Sequence, residues 1–174
     1  MNKFIVVFSL LIIAGCGDSG DDPVRVSSIQ TTEDLTNALE GNGSRPDLDQ
    51  SATAAGTDAN DDGIRDDIKN FIDNMVATPS QRSALTDIAK IMQEIQVASE
   101  LNEVTALDFS NRLLRPVVCL ADEYNNPSNA SQALAKIEAF TANTRTRAEK
   151  YHLYNQLRDG AVTRLPQTIT CQSS

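Results

Sequence analysis

The chain has 174 residues, with 24 Asp and Glu against 15 Lys and Arg, one His and a formal net charge of −9. That length fits one domain with a tail, and so acidic a balance argues against nucleic acid, where clustered cations must answer phosphates, and against a polybasic membrane patch. With no Trp and a single His, few groups are left for catalysis.

The acidity is uneven. Residues 17–62 hold eleven Asp and Glu and two Arg, whereas residues 63–174 hold thirteen acids and twelve bases. Charge therefore marks one segment and leaves the rest nearly neutral.

Met1-Asn2-Lys3 is a short positive start, and Phe4 to Ala14 is an apolar run broken only by Ser9. A bilayer span takes about 20 residues, so this run suits the central part of a signal peptide instead. It ends in Ile13-Ala14-Gly15-Cys16. This stretch resembles the bacterial lipoprotein signal: an aliphatic residue, a small residue, Gly or Ala, then Cys. The resemblance implies cleavage before Cys16, lipid on its sulfur and an acyl group on the new amino terminus. Several acyl chains anchor stably where one binds only marginally. An Asp directly after that Cys favours the inner membrane in enteric bacteria. Here Gly17 follows and Asp18 comes one place later. The expectation is a lipid-anchored protein of the bacterial cell envelope, with the outer membrane favoured over the inner, on its periplasmic face or at the surface.

Residues 16–57 read as an acidic tether, rich in Gly, Ser, Thr, Asp and Asn and poor in large apolar side chains. Such a segment buries too little surface to offset its ordering entropy. Two readings stand side by side: a wholly disordered linker, or a linker with a short helix over 33–40, capped by Thr32 and ended by Gly41.

Asp58 to Lys69 carries the strongest internal motif, Asp-Ala-Asn-Asp-Asp-Gly-Ile-Arg-Asp-Asp-Ile-Lys. Side-chain oxygens at places 1, 3 and 5 (Asp58, Asn60, Asp62), Gly63 at 6, the Ile64 carbonyl at 7 and Asp66 at 9 follow the order of an oxygen-ligand calcium loop. The apolar residue at place 7, followed by an Asp pair, resembles a thrombospondin type 3 repeat more than an EF-hand. The resemblance implies bound Ca²⁺. One departure weakens it: place 12, where those families close the loop with a carboxylate, is Lys69, leaving Asp67 or Asp73 to substitute. The competing reading is a turn that caps the next helix. No second loop pairs with this one, so a structural ion is expected rather than a switch.

The remainder reads as helices. Apolar residues recur at helical spacing from Ile64 to Val76. Thr78-Pro79-Ser80-Gln81 is a helix start, and the stripe Leu85, Ile88, Met92 and Ile95 carries a second helix to about Val104. A third is expected from about Phe109 to Tyr124, kinked or divided at Pro116. Asn126-Pro127-Ser128 begins a fourth over Ala130, Ala133, Leu134, Ile137 and Phe140, and a fifth segment covers about 144–158. Whether the last two are one helix stays open. The expected architecture is an all-α bundle of about five helices, with a leader at 1–15, the tether at 16–57 and a domain at 58–174 that begins with the loop at 58–69.

If Cys16 carries lipid, Cys119 and Cys171 remain, and in an exported protein two such thiols usually pair. A bridge of that span is worth roughly 4 kcal/mol by chain entropy. The Arg145, Arg147, Lys150 and Arg158 side chains of the fifth segment read as a solvated face, or more sharply as a surface for an anionic partner. His152 lacks a companion nucleophile. The acid pairs Glu100–Glu103 and Asp122–Glu123 give an envelope hydrolase as one alternative. An inhibitor or immunity-type protein is another. The leading expectation is a non-enzymatic lipoprotein with a binding or scaffolding role toward an envelope protein.

Overall fold

A computed structural model describes residues 46–75, 77–162 and 169–171. Cys16 and the helix expected over 33–40 lie outside the described residues. Those described form five α-helices, α1 Asp66–Asn74, α2 Pro79–Val97, α3 Glu103–Glu123, α4 Pro127–Thr141 and α5 Arg145–Arg158, and contain no strand. The molecule is a small all-α bundle.

Helix α2 is the centre, packing against each of the other four. Its stripe is buried as the periodicity requires: Leu85, Ile88 and Ile95 are fully enclosed and Met92 nearly so. Ile68 and Ile72 of α1, Ala106 and Leu120 of α3, Ile137 of α4 and Tyr154 of α5 complete the same cluster. Each enclosed Leu or Ile contributes about 1.5–3 kcal/mol of apolar transfer. Phe71 and Phe140 add an edge-to-face pair at 4.8 Å that joins α1 to α4.

Local chemistry sets the helix ends. Thr78 accepts from the Gln81 amide at 3.1 Å while Gln81 Oε1 accepts from the Thr78 amide at 2.9 Å, with Pro79 in the first turn. This reciprocal cap satisfies two donors that a helix start otherwise leaves unpaired. The end of α2 differs from expectation, falling at Val97 rather than near Val104, and α3 begins at Glu103 rather than Phe109. The cause is Asn102. Its side chain accepts from the Val104 and Thr105 amides at 3.0 Å each, and Thr105 Oγ1 accepts from the Asn102 amide at 3.0 Å. Asn in that geometry starts a helix, so the apolar stretch is split in two. Lys150 Nζ holds the carbonyl of Ala98, the residue that ends α2, at 2.8 Å.

Pro116 does not divide α3, which runs through it with the ring buried. Helices α4 and α5 are separate, the break being made by Thr144, whose hydroxyl caps α5. The Cys119 and Cys171 sulfurs are 2.06 Å apart, a disulfide that fixes residues 169–171 to α3. Arg115 Nε donates to Thr170 O at 3.3 Å beside it.

Thr78→Ala and Asn102→Ala are each expected to cost about 1 kcal/mol. Thermal unfolding should show a loss of a few degrees for either variant, and an unchanged midpoint for both would remove the capping argument.

Candidate functional site

Two arginines, Arg65 and Arg147, are wholly enclosed, with 0% side-chain exposure each. Enclosing a cation costs several kcal/mol unless it is paired and hydrogen-bonded, and both are. Arg65 grips Asp67 with Nε on Oδ1 at 2.6 Å and Nη2 on Oδ2 at 2.9 Å, and its Nη2 also donates to Phe140 O at 2.8 Å. Arg147, one turn into α5, reaches back to the segment before α1. Its Nη1 donates to Asp49 O at 2.6 Å, its Nη2 to Asp49 Oδ1 at 3.0 Å and Ser51 Oγ at 3.1 Å, and its Nε to Ala54 O at 3.3 Å. The two pairs meet where the Asp49 amide donates to Asp67 Oδ2 at 2.7 Å.

Side chains of the bundle thus hold residues 49–57 as an arm. Asn143 Nδ2 donates to Asp49 O at 2.9 Å and Gln93 Nε2 to Ala55 O at 2.6 Å. Leu48 is buried. Gly56 has φ +69°, and a Cβ there would lie 2.3 Å from Arg65 Cδ and 2.7 Å from Arg147 Nη2, so only glycine lets the arm lie between the two arginines. The last part of the expected tether is therefore packed on the bundle, and the folded unit begins ahead of residue 58.

The Asp49 carboxyl is held well below the usual carboxylate range. The Ser51 hydroxyl is the largest cause. Arg147, the Ser51 amide and Thr57 act the same way, against the opposing effect of burial.

The expected calcium loop follows the arm. Asp58 Oδ1 accepts from the Asp62 amide at 3.2 Å and Oδ2 from the Gly63 amide at 2.9 Å. Asn60 Oδ1 accepts from the Asp62 amide at 3.2 Å, Asp62 Oδ1 from the Ile64 amide at 2.9 Å, and Asp66 Oδ1 from the Ala59 amide at 3.2 Å. Gly63 takes φ +85°, as the sharp turn at place 6 requires, and the Ile64 side chain is locked in the core. The loop therefore turns Asp58, Asn60 and Asp62 inward onto its own amides, with Asp66 closing across it. Neither substitute for the missing twelfth ligand reaches this ring, for Asp73 is paired with Lys69 and Asp67 with Arg65. Lys90 lies over Gly63, its Nζ 3.7 Å from where a Cβ would stand. Among the described residues no group of three or more His, Cys, Asp or Glu side chains is arranged to hold a metal. The donors are all oxygen, which suits Ca²⁺ chemically, but the closing carboxylate has no occupant.

The other expected sites fall apart in space. The basic face of α5 is not a face: Arg147 is enclosed, Arg145 pairs with Glu149 at 2.8 Å, Lys150 is spent on Ala98 O, and Arg158 also has an interaction. His152 is exposed, as are Glu100, Glu103, Asp122 and Glu123. A cavity of about 40 Å³ lies beside the disulfide, lined by Ser80, Ser83, Asp87, Arg115 and Glu123 among others. That is room for water rather than for a sugar ring. Between α4 and α5, burial raises the Glu138 carboxyl, opposed by a hydrogen bond from Tyr151, while burial and the Glu138 charge raise Tyr151.

No helix among the described residues is long and apolar enough to cross a membrane. No protein-family model, curated protein or solved structure matches the chain.

Asp49→Asn leaves Arg147 enclosed without its counter-charge, a change of about 3–5 kcal/mol near neutral pH. Because the folded-state carboxyl titrates below its unfolded value, its contribution is present above about pH 4 and is lost as pH falls through the folded value. The stability gap between wild type and variant should therefore narrow below about pH 4. Denaturant unfolding that finds the same gap at pH 7 and pH 2.5 would refute this role.

Proposed function

We propose that this chain is a bacterial envelope lipoprotein, anchored through Cys16, whose helical domain has a non-catalytic binding or scaffolding role and is braced by Ca²⁺ at Asp58, Asn60, Asp62, the Ile64 carbonyl and Asp66. The observation that carries the reading is the sequence Ile13-Ala14-Gly15-Cys16 at the end of the apolar leader. The non-catalytic part is supported by the solvent-facing positions of the acid pairs and of His152. These same facts leave the hydrolase alternative without a favouring observation.

The ion is supported by oxygen donors at alternate places around Gly63, on a loop pinned by Ile64 in the core and by Asp66 N on Thr57 O at 2.8 Å. With Lys69 at the closing place, affinity belongs at the weak end, about 10⁻⁴–10⁻³ M. Calcium at about 5 mM should then stabilise the fold by roughly 1–2 kcal/mol. Differential scanning calorimetry should show a higher midpoint for wild type and none of this gain for Asp58→Ala with Asp62→Ala. A wild-type midpoint indifferent to calcium removes the ion.

For the anchor, Cys16→Ser should move the protein from the membrane to the soluble fraction of its bacterial host. Membrane fractionation unchanged by that substitution counts against the whole reading.

A further inference from the structure

Five large apolar side chains stand exposed among the described residues: Val97, Val104, Leu107, Leu153 and Val162. Three of them belong to the corner where α2 ends and α3 begins. Leu153 approaches the same corner from α5. One turn before it, Lys150 Nζ donates to Ala98 O at 2.8 Å; one residue after it, Tyr154 Oη shares a 2.7 Å hydrogen bond with Ser110 Oγ, a turn beyond Leu107. Val104 is 77% exposed and Val97 51%. Isolated exposed apolar residues are ordinary; several gathered at one place mark a contact surface.

The corner is also stiff. The Asn102–Thr105 cap fixes the first turn of α3, and Lys150 fixes the Ala98 carbonyl at the end of α2. A surface already ordered loses little entropy when a partner arrives.

Its charge selects the partner. From residue 94 to residue 111 the chain carries Glu94, Glu100, Glu103 and Asp108 and no Lys or Arg. Arg112 answers Glu94 at 2.6 Å and lies 3.9 Å from Asp108. No ion pair among the described residues answers Glu100 or Glu103, both exposed. The rim sets four carboxylates against Arg112 and Lys150 and so stays net negative around an apolar centre, the complement of a basic amphipathic segment. A second copy docked symmetrically would set acids against acids, and an anionic lipid surface is repelled for the same reason.

We infer that the α2–α3 corner docks a basic amphipathic segment of a partner protein, its apolar side chains covering Val104 and Leu107 and its Lys or Arg side chains meeting Glu100, Glu103 and Asp108. This names the partner class of the binding role proposed above and rests on that reading.

The test uses the full chain carrying Cys16→Ser and three probes: a Lys/Leu amphipathic peptide of about 18 residues, its Glu/Leu counterpart, and phosphatidylglycerol vesicles. Hydrogen exchange should slow over 97–107 with the Lys/Leu peptide alone. Val104→Ser with Leu107→Ser should weaken that binding about tenfold, and Glu100→Gln with Glu103→Gln should weaken it and flatten its salt dependence. Val104 and Leu107 are solvent-facing, so the serine pair should unfold close to the wild-type midpoint. The glutamine pair lies at the start of α3, where Glu100 accepts from Asn102 Nδ2 at 2.8 Å, and should unfold slightly lower, so binding is read well below that midpoint. Protection by the Glu/Leu peptide or the vesicles, protection elsewhere on the bundle, indifference to the serine pair, or concentration-dependent self-protection of the corner would each overturn the inference. If the native chain still fractionates through Cys16 while no peptide engages the corner, this inference alone fails.

Discussion

The structure turns on the need of two enclosed guanidinium groups for counter-charge. Arg65 brings its own, since Asp67 lies two residues on. Arg147 has no such neighbour engaged with it. Asp49 reaches it from 98 residues earlier in the chain. An unpaired cation in that place would cost more than most single interactions in a domain contribute, so the arm is held by necessity. Three carbonyls and a carboxylate of the arm are read by Gln93 of α2, Asn143 of the connection between α4 and α5, and Arg147 of α5, and Gly56 allows the close approach. The arm in turn sets the position of the loop at 58–66, because Thr57 O receives the amide of Asp66.

The helices were legible because their signals are local. The stripe of α2 follows a helical period, Thr78-Pro79-Ser80-Gln81 is a complete cap, and Cys119 and Cys171 are the two cysteines left once Cys16 is set aside. The split at Asn102 was legible in principle, since Asn with Thr three places on can form the same reciprocal cap. It was overridden by the apolar residues on either side. At Pro116 the expected division does not occur: its penalty is real in isolation, yet α3 runs on through it with the ring buried.

The arm was not legible. Arg147 sits among Arg145, Glu149 and Lys150, a pattern that reads as a wet helix face, and Asp49 sits in a segment whose composition resembles a linker. Composition reports how much apolar surface a segment offers. It is silent on hydrogen bonds that a distant arginine makes to backbone carbonyls. The loop lies between these cases. Asp58, Asn60 and Asp62 accept from the loop's own amides around Gly63, while the engagement of Asp67 by Arg65 and of Asp73 by Lys69 is a tertiary and helical fact that spacing alone does not carry.

The span between Asp49 and Arg147 also bears on the assembly of the fold. Neighbouring helices are joined by short connections and find each other at small loop-closure cost. The arm must close nearly the whole domain, and its partners Asp67, Gln93 and Arg147 stand on α1, α2 and α5. Burial of Arg147 and the closing of residues 49–57 over it are therefore one event.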